Sequence, residues 1–382
     1  MLGPLRGAGG SALYSQASSA LIADLEPHLQ TARSPFLALS AAVVRQTVAE
    51  MRALLPGVVL RYAVKANRDI RLLELLQREG LGFALWEWAD LKAVAALAPD
   101  PRQVHLTYPR PTKTMMLACR KLSIPRYTVD YITWVERLGQ LIPYCEVMIR
   151  ARVVHPSTGL KFQYPQGAPV ERLAHIWNWI GDIELFPRGL SFHLGSHLQD
   201  PTAWERVFTT LARVQDRLPS KMDINLGGGL PVAYGPGDPD WRDAARSIAA
   251  IITAWETGRG SGHTYWLEPG RALVAEAGLL VVRVKEIGRH RGRRLAVLNG
   301  GSPHGLMELR EGILHPMYGP HPAEAMVPTL LAGPAGPGGD PLATVALPRA
   351  LAAGDWLVLG KAGAYTASLA ERPKIRWVEW GG

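Results

Sequence analysis

The chain has 382 residues, 47% hydrophobic and 20% charged, with 42 Lys and Arg against 33 Asp and Glu. That apolar fraction excludes wholesale disorder, and the length suits one large domain with a smaller one. No apolar run approaches the roughly 18 residues of a membrane helix. The net charge of +9 is diffuse and comes with no nucleic-acid recognition motif, so an anionic cofactor, an acidic substrate or an acidic carrier protein suits it better.

In chain order, residues 1–20 contain no unbroken apolar stretch of the signal-peptide kind, so a cytoplasmic protein is expected. Val44, Val48, Met51 and Leu55 share one helical face. Residues 58–64 read as a strand. Leu72, Leu75 and Leu76 then restore the helical spacing, with Gly80 as its stop. Cys119 and Cys145 are too few for a disulfide framework or a four-cysteine zinc site and read as small buried residues; no metal is expected. Residues 146–152 are strand-like, and Leu173, Ile176, Trp177 and Ile180 form a helical stripe. Residues 189–193 form a strand, and Asp200-Pro201 looks like the cap and first turn of a helix bearing Trp204, Val207, Phe208 and Leu211. A strand at 222–226, a helix bearing Trp241, Ala245, Ile248, Ile252 and Trp255 and ending near Gly258, and a strand at 264–268 follow.

Such alternation predicts an α/β fold with a parallel sheet. The spacing suits a (β/α)8 TIM barrel, whose chemistry lies at the strand C-terminal ends, with a doubly wound open sheet as the alternative. After Ala277 the character changes. Residues 279–287 and 295–298 flank the basic run 289–294 as a hairpin, short strands follow at 345–347 and 356–359, and the Pro/Gly-rich 333–341 is a loop. This tail reads as a C-terminal β domain.

Several motifs end strands. Tyr62-Ala63-Val64-Lys65-Ala66-Asn67 aims a lysine from a barrel rim, where a buried amine can have a lowered pKa and attack a carbonyl. Ser191-Phe192-His193-Leu194-Gly195-Ser196 offers an imidazole for stacking and a hydroxyl for a phosphate. Gly227-Gly228-Gly229 lets backbone N–H groups approach a phosphate, but it lacks the spacing of a dinucleotide fingerprint or a P-loop. Glu268-Pro269-Gly270-Arg271 pairs a carboxylate with a guanidinium, and Gly363-Ala364-Tyr365-Thr366 lies near the C-terminus. Alone, each motif has a bland reading: a solvated lysine, a structural histidine, a turn, a local ion pair, a core tyrosine.

Together and in this order, they resemble the fold-type III pyridoxal-phosphate decarboxylases, such as those for ornithine and diaminopimelate. The resemblance runs through nearly the whole chain and includes Ser34-Pro35-Phe36, Arg150 and Lys161-Phe162. It implies the alanine racemase-like fold: a segment at 1–35 joining the β domain, a barrel at 36–274 and a β domain at 275–382. It implies a head-to-tail homodimer with active sites at the subunit boundary. Lys65 would hold pyridoxal 5′-phosphate covalently. His193 would stack on its ring, and Glu268 would contact the ring nitrogen. Ser196, Gly227, Gly228, Gly229, Gly270, Arg271 and Tyr365 would surround the phosphate, with Arg150 also at the cofactor. A carboxylate at the ring nitrogen makes the ring an electron sink and favours decarboxylation, whereas related racemases place an arginine there.

Two motifs depart from the pattern. The G-P-x-C-[DE] loop reads Gly333-Pro334-Ala335-Gly336-Pro337, so the cysteine that often returns the proton is Gly336 and the acid that binds a distal amine is Pro337. Asp340 still matches the aspartate closing that motif and would pair with Lys161 across the dimer. The F-D-x-A-S-x-x-E segment reads Phe83-Ala84-Leu85-Trp86-Glu87-Trp88-Ala89-Asp90, losing a carboxylate at Ala84 and gaining two tryptophans. The expected reaction is therefore α-decarboxylation of an atypical amino acid or conjugate, anionic or tethered to a carrier protein, in siderophore or other secondary-metabolite biosynthesis. The alternatives are racemisation or decarboxylative C–C bond formation, or a non-catalytic homologue that binds the cofactor.

Overall fold

A computed structural model describes residues 2–5, 16–29, 33–153, 158–160, 166–259, 262–368, 370 and 375–378. The chain divides into two compact units, one of Val48–Pro231 and Pro239–Gly270, the other of Met1–Thr47, Val232–Asp238 and Arg271–Gly382.

The first unit is a closed barrel of eight strands: Val59–Ala63, Gly82–Leu85, Val104–Leu106, Arg126–Val129, Glu146–Arg150, Phe186–Ser191, Asp223–Asn225 and Thr264–Leu267. Neighbours in sequence are neighbours in space, every pair is parallel, and the last strand closes on the first. This is the (β/α)8 architecture rather than the open sheet. The helix Ile70–Arg78 shows how the outer layer forms. Asp69 Oδ1 accepts from the backbone N–H groups of Arg71 and Leu72, and Leu72, Leu73, Leu75 and Leu76 are buried. Asp200 behaves differently from the expected cap. It accepts from the N–H and hydroxyl of Thr202 in a local turn, and the helix begins later, at Glu205–Ala212. Cys119 and Cys145 are buried, and burial pushes both thiols up to about 12.

The second unit is built on a nine-stranded sheet. Its strands run Gly3–Pro4, Met317–Gly319, Trp356–Leu359, Gly278–His290, Arg293–Leu298, Met326–Ala332 and Pro341–Pro348 in spatial order. Phe36–Ser40 pairs antiparallel with Gly278–His290, so this strand belongs to the β unit and the barrel proper begins at Val59. Ile375–Val378 adds on its other side. The basic run is a hairpin tip as expected, pairing Arg289 with Arg294 and His290 with Arg293. Arg291 and Gly292 have φ of +48° and +77°, the two positive values a type I′ turn requires. Within 333–341 the chain makes one helical turn, Gly336–Gly339. Among the described residues, no helix is long and apolar enough to cross a membrane.

Candidate active site

The C-terminal ends of the barrel strands carry a cluster of ionisable groups. Lys65 lies in a single 3-10 turn, Val64–Ala66, directly after the first strand. That turn is fixed from below: Ala63 N–H donates to Pro269 O at 3.0 Å, and the Tyr62 hydroxyl donates to Asn67 O at 3.1 Å. Its Nζ lies 4.3 Å from the centre of the Trp86 ring, just past the end of the second strand. Burial lowers the pKa of the amine, opposed by Glu268 and assisted by the Arg150 cation.

Glu268 follows the last barrel strand, where its N–H donates to Gly227 O at 2.8 Å. Its Oε1 accepts from Asn225 Nδ2 at 2.6 Å and lies 3.8 Å from His105 Nδ1. Burial raises the carboxyl pKa, while Asn225, Lys65 and Arg150 oppose the rise. His105 is fully buried and bonded through Nε2 to the Thr128 hydroxyl at 2.9 Å. Burial, with Arg61 and Arg126, holds it well below the usual imidazole range. His193 follows the sixth strand. Burial, then the Arg150 and Lys65 cations, hold it well below that range too, so both rings are neutral at pH 7. Arg150 ends the fifth strand, 7% exposed, with Nε lacking a hydrogen-bond partner among the described residues.

Gly227, Gly228 and Gly229 form a cradle that admits no side chain. A Cβ there would fall 2.2 Å from Phe192 O, 2.5 Å from Glu268 O and 2.4 Å from Gly195 O, respectively. Gly227 and Gly229 also have φ of +74° and +93°, values that favour glycine. Asn225 therefore does two things: its Nδ2 holds Glu268, and its Oδ1 accepts from Gly227 N–H at 2.9 Å. Ser196 is half-buried at the start of Ser196–Leu198, and Leu198 N–H donates to Gly229 O at 3.0 Å. A Cβ on Gly270 would press on Ala66 and Ala63, at 3.0 and 3.2 Å.

Within the β unit, Arg271 is buried. Its guanidinium bonds both oxygens of Glu308, at 2.7 and 2.5 Å, and the Tyr234 hydroxyl at 2.9 Å. It also lies 4.7 Å from the Tyr365 ring centre. Its Nη atoms are thus engaged inside the unit, and only Nε lacks a partner among the described residues. Tyr365 adopts φ of +56°, an uncommon backbone for tyrosine. Gly336 has φ of +70° with nothing within 4 Å of where a Cβ would stand, and Pro337 is half-buried. Asp340 is 6% exposed, and its carboxylate accepts from the Ser302 N–H at 3.0 Å and the Ser302 hydroxyl at 2.6 Å. Lys161 and Phe162 lie outside the described residues.

The strand-end motifs thus bring Lys65, Arg150, His193, Ser196, the glycine cradle and Glu268 to one rim. Sequence reasoning passed over His105, Asn225 and Glu308. Asn225 was legible, two places before the first cradle glycine. His105 belongs to a three-residue strand too short to show a period, and Glu308 is 37 positions from Arg271.

A family model described as the pyridoxal binding domain of pyridoxal-dependent decarboxylases matches residues 41–275. The lysine/ornithine decarboxylase of Selenomonas ruminantium is 27% identical over 258 residues, covering 66% of this chain and 64% of that protein. A diaminopimelate decarboxylase of Deinococcus radiodurans is 28% identical over 337 residues, covering 84% and 83%. In fold, the chain is similar to the crystal structure of the Paramecium bursaria Chlorella virus arginine decarboxylase, with a TM-score of 0.83, 21% identity, and coverage of 94% of this chain and 100% of that one.

Proposed function

The chain belongs to the pyridoxal-dependent decarboxylase family, and from that premise we propose that it releases the α-carboxyl group of an amino acid or amino-acid conjugate as CO2. The observation that carries this reading is Glu268, a largely buried carboxylate held by Asn225 at the same barrel rim as the amine of Lys65.

The residues present fit pyridoxal 5′-phosphate. The cradle at Gly227–Gly229 has no room for side chains, as close backbone approach to a phosphate requires. Ser196 and Gly270 flank it in the barrel unit. Lys65 supplies an amine that burial pushes toward the neutral, nucleophilic form. The neutral His193 suits stacking on a flat ring, because it brings no charge into a site already holding Lys65 and Arg150. When bound, the cofactor supplies an electron-accepting ring conjugated to the substrate's α-carbon. Glu268 would face the ring nitrogen and favour its protonation, and Asn225 Nδ2 fixes the orientation of that carboxyl. Arg150 offers its Nε–H to an anionic group of substrate or cofactor.

The β unit supports an atypical substrate. Gly336 and Pro337 provide neither a thiol nor an acid. Asp340, the nearest carboxylate in sequence, is engaged by Ser302. A free distal ammonium facing this loop would lack an anion to pair with, which disfavours small diamino acids. The lack of a bulky or acidic side chain at 336 and 337 suits a larger, anionic or carrier-tethered substrate of the kind made in siderophore or other secondary-metabolite biosynthesis. The working form in this reading is a cytoplasmic homodimer with shared sites.

Borohydride reduction of the cofactor-loaded protein followed by peptide mapping is expected to label Lys65. Trapped CO2 is then measured across ornithine, lysine, diaminopimelate and citrate-type conjugates of diamines and diamino acids. Release from the conjugates above that from the free diamino acids is expected. No CO2 from any member of the panel would overturn the reading.

A further inference from the structure

We propose that Trp86 is a positioning residue that receives the Lys65 amine whenever that amine is not bonded to the cofactor, and holds it there as an ammonium. The inference rests on the reading of Lys65 as the cofactor-bearing lysine.

The geometry is specific. Nζ lies 4.3 Å from the ring centre, inside the roughly 6 Å over which an aromatic face attracts a cation. Among the described residues, no carboxylate lies within ion-pair distance of Nζ and no hydrogen bond reaches it, so the ring is the partner the structure gives this cation. A buried ammonium without compensation reverts to the neutral amine, and both burial and the Arg150 cation push Lys65 that way. The carboxylates of Glu268, Asp90 and Glu87 oppose them from a distance, and the indole face does so in direct contact.

The ring is fixed for this role. The Trp86 backbone N–H donates to Asp90 Oδ2 at 2.8 Å, anchoring the residue, and Asp90 is itself fully buried and bonded to Arg68 Nε at 2.6 Å. Tyr108 meets the indole edge-on, with ring centres 4.8 Å apart at 61°. Arg150 approaches the same ring at 5.7 Å, so two cations share it. Position 86 is also where the family segment carries a small residue. A substrate amine that takes the place of Lys65 on the cofactor must leave the lysine somewhere to go. In this chain the indole is that place, and an ammonium held there retains its proton.

The test measures capture of pyridoxal 5′-phosphate by the apoprotein as a function of pH, trapped with borohydride and read by peptide mapping at Lys65. Only the neutral amine reacts, so the midpoint reports the amine's protonation. Trp86→Leu removes the aromatic face and is expected to move the midpoint down by about half a pH unit. Trp86→Phe keeps a weaker face and should move it in the same direction by less. Coincident midpoints in all three proteins, or an upward move, would overturn the proposal. If Trp86→Leu does not fold, the Phe variant decides alone, an unmoved midpoint counting against. Absence of label on Lys65 in the wild type would instead remove the underlying reading, and this one with it.

Discussion

The barrel is charged at both ends, and the two ends use charge differently. Toward the strand N-termini, Arg61 and Arg126 each place a guanidinium 4.4 Å from the Trp266 ring centre. Their strands are not neighbours in the barrel, so all three side chains meet inside it. Arg126 Nη2 lies 2.6 Å from Glu146 Oε2, while Arg188 Nε lies 3.8 Å from both Glu146 and Asp223. Arg61 donates to Arg102 O at 3.0 Å. This floor packs charges against one another around an aromatic ring, with Arg61 Nε and Nη1, Arg126 Nε and Asp223 Oδ2 buried and without a hydrogen-bond partner among the described residues. At the opposite rim, Lys65 has a ring in place of an anion, and Glu268 is held by the neutral Asn225. At the floor, removing one charge leaves its partner buried and unpaired, so the loss falls on the fold, while charges left open at a rim are available to a ligand.

That division of labour can be broken most sharply at Lys65. Lys65→Ala is expected to abolish covalent cofactor attachment and lower CO2 release by more than about 10⁴-fold, while thermal unfolding stays near wild type. The floor should behave in the opposite sense. Arg126→Met leaves Glu146 without its closest cation and should cost about 3 kcal/mol in denaturant unfolding, with kcat of the folded enzyme unchanged. Loss of kcat without loss of stability would show that the floor takes part in the chemistry. Glu268→Gln keeps shape but removes charge, and a fall of about 10²–10³ in kcat with KM little changed is expected.

The layer between the two ends is legible through pH. His105 is held well below its ordinary 6.5 in the folded chain, while the unfolded chain takes up the proton normally. The unfolded state thus binds more protons below that pH, and stability falls as pH drops. Each such imidazole contributes a slope of up to about 1.4 kcal/mol per pH unit. Unfolding free energies between neutral and mildly acidic pH should fall more steeply in wild type than in His105→Gln. The smallest expected effect lies in the β unit. Gly336→Cys has open space but a positive φ, so a cost of about 1–2 kcal/mol is expected in thermal unfolding. An unchanged melting temperature would mean the loop relaxes freely.

The rim was legible in the sequence because its residues follow apolar runs long enough to read as strands, such as those ending at Ala63, Ser191 and Leu267. Gly82–Leu85, Val104–Leu106 and Arg126–Val129 were not, because three or four residues show no period and their inward positions carry Arg, His and Ala instead of an apolar alternation. Phe36–Ser40 reads equally well as a barrel strand; only its long-range pairing with Gly278–His290 settles its place. The Glu308 clamp on Arg271 is likewise a tertiary fact with no local signal. Trp86 was visible as a departure from the family segment, but its meaning depends on where Lys65 Nζ points.

The burial of Cys119 and Cys145 has a practical corollary. Sulfhydryl reagents attack the thiolate, and neither native thiol forms it near neutrality or meets solvent. A single cysteine engineered at position 336 would be the one site a maleimide dye modifies rapidly in the folded protein. A spectroscopic reporter can thereby be installed on this loop without first deleting any natural cysteine.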